Sequence, residues 1–495
     1  MMRRMALAAA QIAAVSGNAQ APLSVDASFR MDLPAQNAYS LACMPNGQLL
    51  VSGNLEFPGE TNVWPLGRIN PDGSRDMSFP FTYGGAKLTP WQDRYYVAGS
   101  QTVRRLMPDG TIDNSFQHMN FDPYFSSLQG GDYHVFPDGR VLLGGYHTID
   151  AAHLGYQGGY NLVWFFSNGR LDTTRVHRTG DGTVWRIQEY PPNTAGGLGG
   201  KFLVHHWGTE FEGQPVSKVI RVHADGSLDE TFNAPIPWGY VWAMEPLPDG
   251  RAYIGGTFRL ENQSDTIQLI RVMPDGSLDP TFNNGLDMLM GEQFTFLDAG
   301  VSCIFPIGEG LLAVTGLFSE VDGNERSGIC MLDTTGNFVP YYFTGGGCGS
   351  YQYQIGQMVQ TYGSIDGIIR APSGDYYIWG AYHGYSDGTT NDTLQRMVTR
   401  LHGGEIGLGV PQAGSTKPVM RLYPNPASTT VVVELGEVPR HAELVLRDAL
   451  GRVVLRRRLT AHATAVELGV PGGVYMAEVL QSGRPRLIER LVVEY

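Results

Sequence analysis

Aromatic rings, rather than a catalytic set, are the residues with most chemistry to offer here. The 495-residue chain holds no Gly-x-Ser-x-Gly elbow, no His-Glu-x-x-His, no phosphate loop and no paired-glycine dinucleotide motif. The glycine-rich stretch 196–200 falls in a hairpin turn, where phosphate cradling is not expected. His205 and His206 are adjacent, and neighbours on a strand point to opposite faces, so they cannot share a metal without a bulge. Glu210, Glu212, Glu320 and Asp322 are the residues that would support Ca²⁺, but they lack the spacing of a calcium loop. No other metal or cofactor is expected. A glycosidase needs two carboxylates across a cleft, and the sequence offers many acids without selecting a pair. Cys43, Cys303, Cys330 and Cys348 form no Cys-x-x-Cys pair and read as small apolar strand residues. A Cys303–Cys330 or Cys330–Cys348 bridge stays open in an oxidising compartment.

The aromatics are better placed. Trp64 falls in a loop, Tyr146 and His147 follow the end of a strand, and Trp207 ends another. Trp238 and Tyr240 open an inner strand, and Tyr382 and His383 follow a late one. Such rings stack on sugars or anchor protein partners, so these eight residues are the candidate ligand-binding set.

The elements that must position them are short strands. Charged residues make up 17% of the chain, while 64 Gly and 30 Pro point to many tight turns. The net charge of −13 is uneven: residues 22–418 carry 23 Lys+Arg against 40 Asp+Glu, and residues 419–495 carry 10 against 8. An acidic body excludes a nucleic-acid partner.

Two patterns alternate along the chain. The first is an apolar run, a Gly turn and a second run ending in Gly, as in PNGQLLVSG (45–53), PDGRVLLGG (137–145), LGGKFLVHHWG (198–208), PDGRAYIGG (248–256) and PSGDYYIWG (372–380). The second is RINPDGSRDMSF (68–79), RLMPDGTIDNSF (105–116), RVHADGSLDETF (221–232), RVMPDGSLDPTF (271–282) and their relatives. Each pattern occurs seven times, and each has the form of a β-hairpin. Two hairpins per unit give four-stranded repeats that bury both faces only when arranged radially, which predicts an all-β, seven-bladed β-propeller over residues 22–407. The seventh copy stops at Gly403-Gly404 without its Asp-x-Ser/Thr-Phe ending, and that ending stands at Asp26-Ala27-Ser28-Phe29 instead. Residues 24–31 are therefore expected to close the last blade. The short Asp-Gly turns share one face of the ring, and the variable segments share the other, where function is expected.

These motifs resemble the delta-60 repeat family over about residues 24–407, best in PDGRAYIGGTF with IRVMPDGSLDPTF. The second and seventh copies depart from the pattern, the second lacking a Gly turn at Asp93. The resemblance implies an exported propeller and no particular reaction.

Both ends of the chain speak for export. Arg3 and Arg4 precede an apolar stretch from Met5 to Val15, broken only by Gln11, and Ala19-Gln20-Ala21 supplies a small-x-small cleavage pattern. Residues 1–21 thus read as a signal peptide cut after Ala21 for passage through the Sec translocon. No later run reaches the length of a permanent membrane span. Residues 408–418 form a Gly/Pro-rich linker, and residues 419–495 read as a small immunoglobulin-like β-sandwich. This module resembles the type A sorting domain of the type IX secretion system of Bacteroidetes. The resemblance is carried by Tyr423-Pro424-Asn425-Pro426, by the Asp448-x-x-Gly451-Arg452 turn and by Gly473-Val474-Tyr475. It implies the type IX machinery as a partner and a surface or secreted location. The expected role is a binding protein for a glycan or surface protein, with a carbohydrate-active hydrolase or lyase as the alternative.

Overall fold

The computed structural model describes residues 21–494 apart from short stretches, the longest being 291–297, 407–419 and 436–441. Residues 1–20, the linker and Gly451 lie outside the described residues. The chain divides into two compact units at Leu408–Gly409.

The first unit is a succession of antiparallel meanders. Ala38–Cys43, Leu49–Glu56 and Val63–Ile69 form the first sheet; Leu88–Trp91, Arg94–Ala98 and Val103–Leu106 the second; Phe125–Val135, Val141–Ala151 and Tyr156–Phe165 the third. Val184–Glu189, Phe202–His206 and Val219–Val222 form the fourth, and Trp238–Pro246, Ala252–Arg259 and Ile267–Val272 the fifth. Gly300–Gly308, Leu311–Leu317 and Ile329–Asp333 form the sixth, and Ser364–Arg370, Tyr376–Ser386 and Asn391–Leu401 the seventh. Among the described residues no α-helix occurs, and no helix is long and apolar enough to cross a membrane.

The glycines of the repeats serve two ends. Those of the turns take positive φ, as at Gly250 (92°), and where the second copy lacks a Gly, Gln92 itself adopts φ 53°. Those ending the second apolar run answer a close approach. The first strand of most sheets carries a β-bulge opposite them, at Ala38/Ser40, Val241/Ala243, Val301/Cys303 and Ile365/Gly367. A side chain at Gly53, Gly256, Gly316 or Gly380 would land on the carbonyl of Asn37, Tyr240, Gly300 or Ser364. In the fourth sheet His206, opposite Val184, occupies this position, so Gly208 lies two residues beyond it.

Each sheet gains a short fourth, outer element through a single bridge: Ile69 with Arg75, Leu106 with Ile112, Phe165 with Leu171, Val222 with Leu228, Val272 with Leu278 and Leu332 with Phe338. In the seventh sheet the bridge is Leu401 with Val25, from the other end of the unit. Leu23 N–H donates to His402 O (2.8 Å), His402 N–H to Ser24 O (2.8 Å) and Asp26 N–H to Arg400 O (2.9 Å).

An arginine clasp repeats on these outer elements. Arg271 Nε donates to Asp279 (2.7 Å), its Nη2 to Thr281 Oγ1 (2.9 Å), and its Nη1 to Thr334 O in the next sheet. Arg68, Arg105 and Arg221 do the same toward Pro108 O, Ser167 O and Pro274 O. Arg400 repeats it with Asp26 (2.7 Å), Ser28 (2.7 Å) and Pro71 O (2.9 Å), which joins the seventh sheet to the first. Trp164 and Met331 stand in place of the arginine in the third and sixth sheets. The clasps sit on apolar seams. At the seventh-to-first seam Leu41, Leu49 and Val51 pack with Tyr377, Met397 and Val398, and Phe29, Met31 and Leu33 fill the space between.

The second unit has two sheets on one core. Met420–Tyr423, Thr430–Leu435 and Ala463–Glu467 form one; Val453–Arg458, Ala442–Arg447, Gly473–Gln481 and Arg484–Val493 form the other, in that spatial order. Val431 and Val433 pack against Leu444, Leu446, Ala477, Val479 and Leu491. The Tyr423–Pro426 motif ties the start of the unit to its last strand: Asn425 Nδ2 donates to Arg490 O (2.7 Å) and its Oδ1 accepts from Val492 N–H (2.9 Å). Tyr475 is buried, and its hydroxyl donates to Pro471 O (2.7 Å).

Candidate functional site

The bulges re-aim side chains of the inner strands, and in the fourth and fifth sheets they help build an aromatic corner. Trp207 follows the strand that ends at His206, and Tyr240 lies on the first strand of the fifth sheet. Their rings stack at 4.4 Å between centroids with a 22° interplanar angle. Trp242, at the bulge, continues the stack beyond Tyr240 at 6.2 Å and 9°. Trp238 stands at the start of the same strand with the Arg259 guanidinium 4.6 Å from its ring centre. Trp207, Trp238 and Tyr240 remain 37%, 45% and 45% exposed, unusual values for rings so firmly held. Cations hold the corner in place: Arg186 Nε donates to Trp242 O (3.1 Å), and Lys218 Nζ to Trp207 O (2.6 Å) and Gly208 O (2.9 Å).

Of the eight expected ligand residues, Trp207, Trp238 and Tyr240 come together here. Tyr146 is also exposed but belongs to the third sheet. His147 and Tyr382 are wholly buried and are removed from the candidate set. The strands Val141–Ala151 and Tyr376–Ser386 run past the positions where they were expected to end, so both residues stay inside the ladder. His147 Nδ1 lies 2.9 Å from Ser127 Oγ, and the Tyr382 hydroxyl donates to Thr399 Oγ1 (2.8 Å). His383 is half-buried, and burial lowers its pKa to about 4. Trp64 lies in the strand Val63–Ile69, not in a loop, and its indole N–H donates to Glu60 while Arg75 covers its ring. Trp242 and Arg186 were not singled out by sequence: Trp242 lies in the bulge beside the pair Val241–Gly256, while Arg186 follows a bulge whose partner is His206 and not a glycine.

Two of the four acids considered for Ca²⁺ are engaged otherwise. Glu212 pairs with Arg178 (3.0 Å), and Asp322 Oδ1 accepts from Asp287 N–H (3.2 Å). Among the described residues no group of three or more His, Cys, Asp or Glu is arranged for a metal. His205 and His206 are both buried, and the four cysteines are unbridged.

Two carboxyls on inner strands stand apart electrostatically. Burial raises Glu245, in the fifth sheet, to about 7, and Asp366, at the bulge of the seventh, to about 6. The clasp acids shift the other way: burial pushes Asp113 up, but hydrogen bonds from Ser115 and Arg105 outweigh it and leave about 2. A raised carboxyl favours the fold while protonated, and that contribution is lost as pH rises through its folded value. A lowered one favours the fold above its unfolded value and is lost as pH falls. Stability should therefore fall below about pH 4 and also decline from about pH 4 toward 7. Glu245→Gln with Asp366→Asn should flatten the upper decline by on the order of 1–2 kcal/mol, allowing for partial exposure. Urea titrations of both proteins at pH 5 and 8 check this; equal pH dependence would refute it.

The geometry defines a β-propeller protein. Residues 93–116, 200–232 and 247–282 match the family described as a domain of unknown function (DUF5122) beta-propeller. Residues 421–494 match the secretion system C-terminal sorting domain, so the chain is a propeller protein carrying a type IX sorting tail, destined for the cell surface or the medium. Among solved structures it is similar to the extracellular domain of a hybrid two-component system from B. thetaiotaomicron, at 10% identity, with 95% of this chain and 60% of that one covered and a TM-score of 0.40. It is also similar to PorZ, a surface component of the type IX secretion system of Porphyromonas gingivalis, at 11% identity, 93% and 70% coverage and a TM-score of 0.34. A fungal alcohol oxidase in complex with copper is similar at 11% identity, 94% and 98% coverage and a TM-score of 0.34. At such scores none of these bears on what this chain does. No curated protein matches it.

Proposed function

We propose that this secreted propeller protein is a binding module whose ligand, a surface glycan or protein, docks on the long-loop face at the corner of Trp207, Tyr240 and Trp238. The observation that carries this reading is the exposure of three large rings already locked by stacking and by Arg186, Arg259 and Lys218. Rigid aromatics lose little entropy on binding and dominate interface energetics. Rings this exposed serve either class of ligand, stacking on a sugar or anchoring a protein partner. The seven sheets act in this reading as the seven blades of a ring closed by the N-terminal segment, released from its signal peptide.

Trp207→Ala and Trp238→Ala should each weaken binding by about 10- to 30-fold, in line with about 1.5–2 kcal/mol for a hot-spot ring. The check is a glycan array and a surface-protein capture with the wild-type protein, followed by titration of the variants against each hit, with a hydrolysis assay alongside. Unchanged affinity for every hit in both variants would refute the corner.

A further inference from the structure

Val453–Arg458 gives the sorting tail an open, basic sheet edge. Val453–Arg458 is the outermost strand of its sheet and pairs only with Ala442–Arg447, so one row of its backbone groups has no strand partner among the described residues. Five of its six side chains are exposed: Val453, Val454, Arg456, Arg457 and Arg458. Arg456 reaches Glu443 (2.8 Å), but neither Arg457 nor Arg458 has a carboxylate partner among the described residues. Charge alone is a common guard against edge pairing. Two exposed valines leading into the arginines do not suit a guard; they suit a strand that is meant to be covered.

We propose that the free edge of Val453–Arg458 is the surface by which the secretion machinery reads the tail, by adding an extended, carboxylate-rich polypeptide segment beside it. This rests on the reading of residues 421–494 as a sorting domain. Three features select that occupant. An extended polypeptide can replace water along the whole open row of N–H and C=O groups at once, as an added strand. Unpaired arginines on a strand edge favour carboxylates on the incoming strand through cross-strand pairs and bidentate bonds. A second copy of the same edge fits less well: parallel pairing in register sets arginines opposite arginines, and antiparallel pairing sets Val453 and Val454 opposite Arg458 and Arg457, which supplies no carboxylate to either arginine.

The test uses the full chain in a host with the type IX system. Arg457→Glu with Arg458→Glu should cut the exported fraction at least fivefold and leave precursor in the periplasm, while Arg457→Lys with Arg458→Lys should retain most export. Both positions are exposed, so the purified proteins should melt within a few degrees of wild type; if the glutamate pair misfolds, Arg457→Gln with Arg458→Gln takes its place. In vitro, the intact protein should bind poly-L-glutamate at least tenfold more tightly than the glutamate variant, and more tightly than it binds dextran sulfate. Normal export of the glutamate or glutamine pair, beside failed export of a chain ending at residue 418, overturns this edge while leaving the sorting role standing. Normal export of the chain ending at 418 refutes the sorting role itself. Equal binding of dextran sulfate and poly-L-glutamate overturns recognition of a polypeptide strand.

Discussion

Removing residues 22–31 should open the propeller. The segment supplies the bridge of Val25 with Leu401, the backbone bonds of Leu23, Ser24 and Asp26, and the acid of the Arg400 clasp. It also buries Leu23, Val25, Phe29 and Met31, at about 1.5–3 kcal/mol each before the entropy of ordering the strand is subtracted. A net loss on the order of 5 kcal/mol is expected, lowering the melting temperature by roughly 6 °C in a unit of this size. The exposed edge of Asn391–Leu401 should also promote association. Arg400→Ala, which leaves the strand in place but removes the links to Asp26, Ser28 and Pro71, should cost less, about 2–4 kcal/mol. Thermal melts and light scattering of both variants check the order; a truncated protein that melts like wild type and stays monomeric would contradict closure by this segment.

The hairpins were legible because Asp-Gly and Asn-Gly turns flanked by apolar runs admit few other conformations. The displaced Asp-x-Ser-Phe ending at residues 26–29 stood out because four repeats carry the same Asp-x-Ser/Thr-Phe ending, at Asp76, Asp113, Asp229 and Asp279. The purpose of the arginines was not. Arg68, Arg105, Arg221, Arg271 and Arg400 stand in plain view in the repeats, yet each joins groups 8 to 374 residues apart, and only the packed sheets show the carbonyl it reaches. The glycine ending each run was visible as a pattern, while its cause, a bulged neighbour strand passing too close for a side chain, belongs to pairing register. His147 and Tyr382 were misplaced for a related reason: strands of eleven residues carry them into the ladder where shorter strands would have left them in loops. Trp207, Tyr240 and Trp238 come together because they lie near one end of adjoining sheets, Trp207 just past its strand and Trp238 and Tyr240 at the start of theirs.

Loss of residues 419–495 should strand a folded propeller inside the cell envelope. The seven sheets and the segment that pairs with the last of them are complete before residue 408, and the tail has a core of its own in Val431, Val433, Leu444, Leu446 and Leu491. The truncated chain should therefore melt as the intact propeller does and keep its ligand affinity, yet its exported fraction should fall by at least tenfold. Weakened folding would show instead that the two units depend on each other.

The most direct test of export by the tail is a graft. Residues 419–495 are fused to an unrelated reporter that carries its own signal peptide and is otherwise retained in the periplasm, in a host with the type IX system. Fractionation should find most of the reporter at the surface or in the medium, and none there in a strain lacking the secretion machinery. A reporter that remains periplasmic in both strains would contradict the assignment.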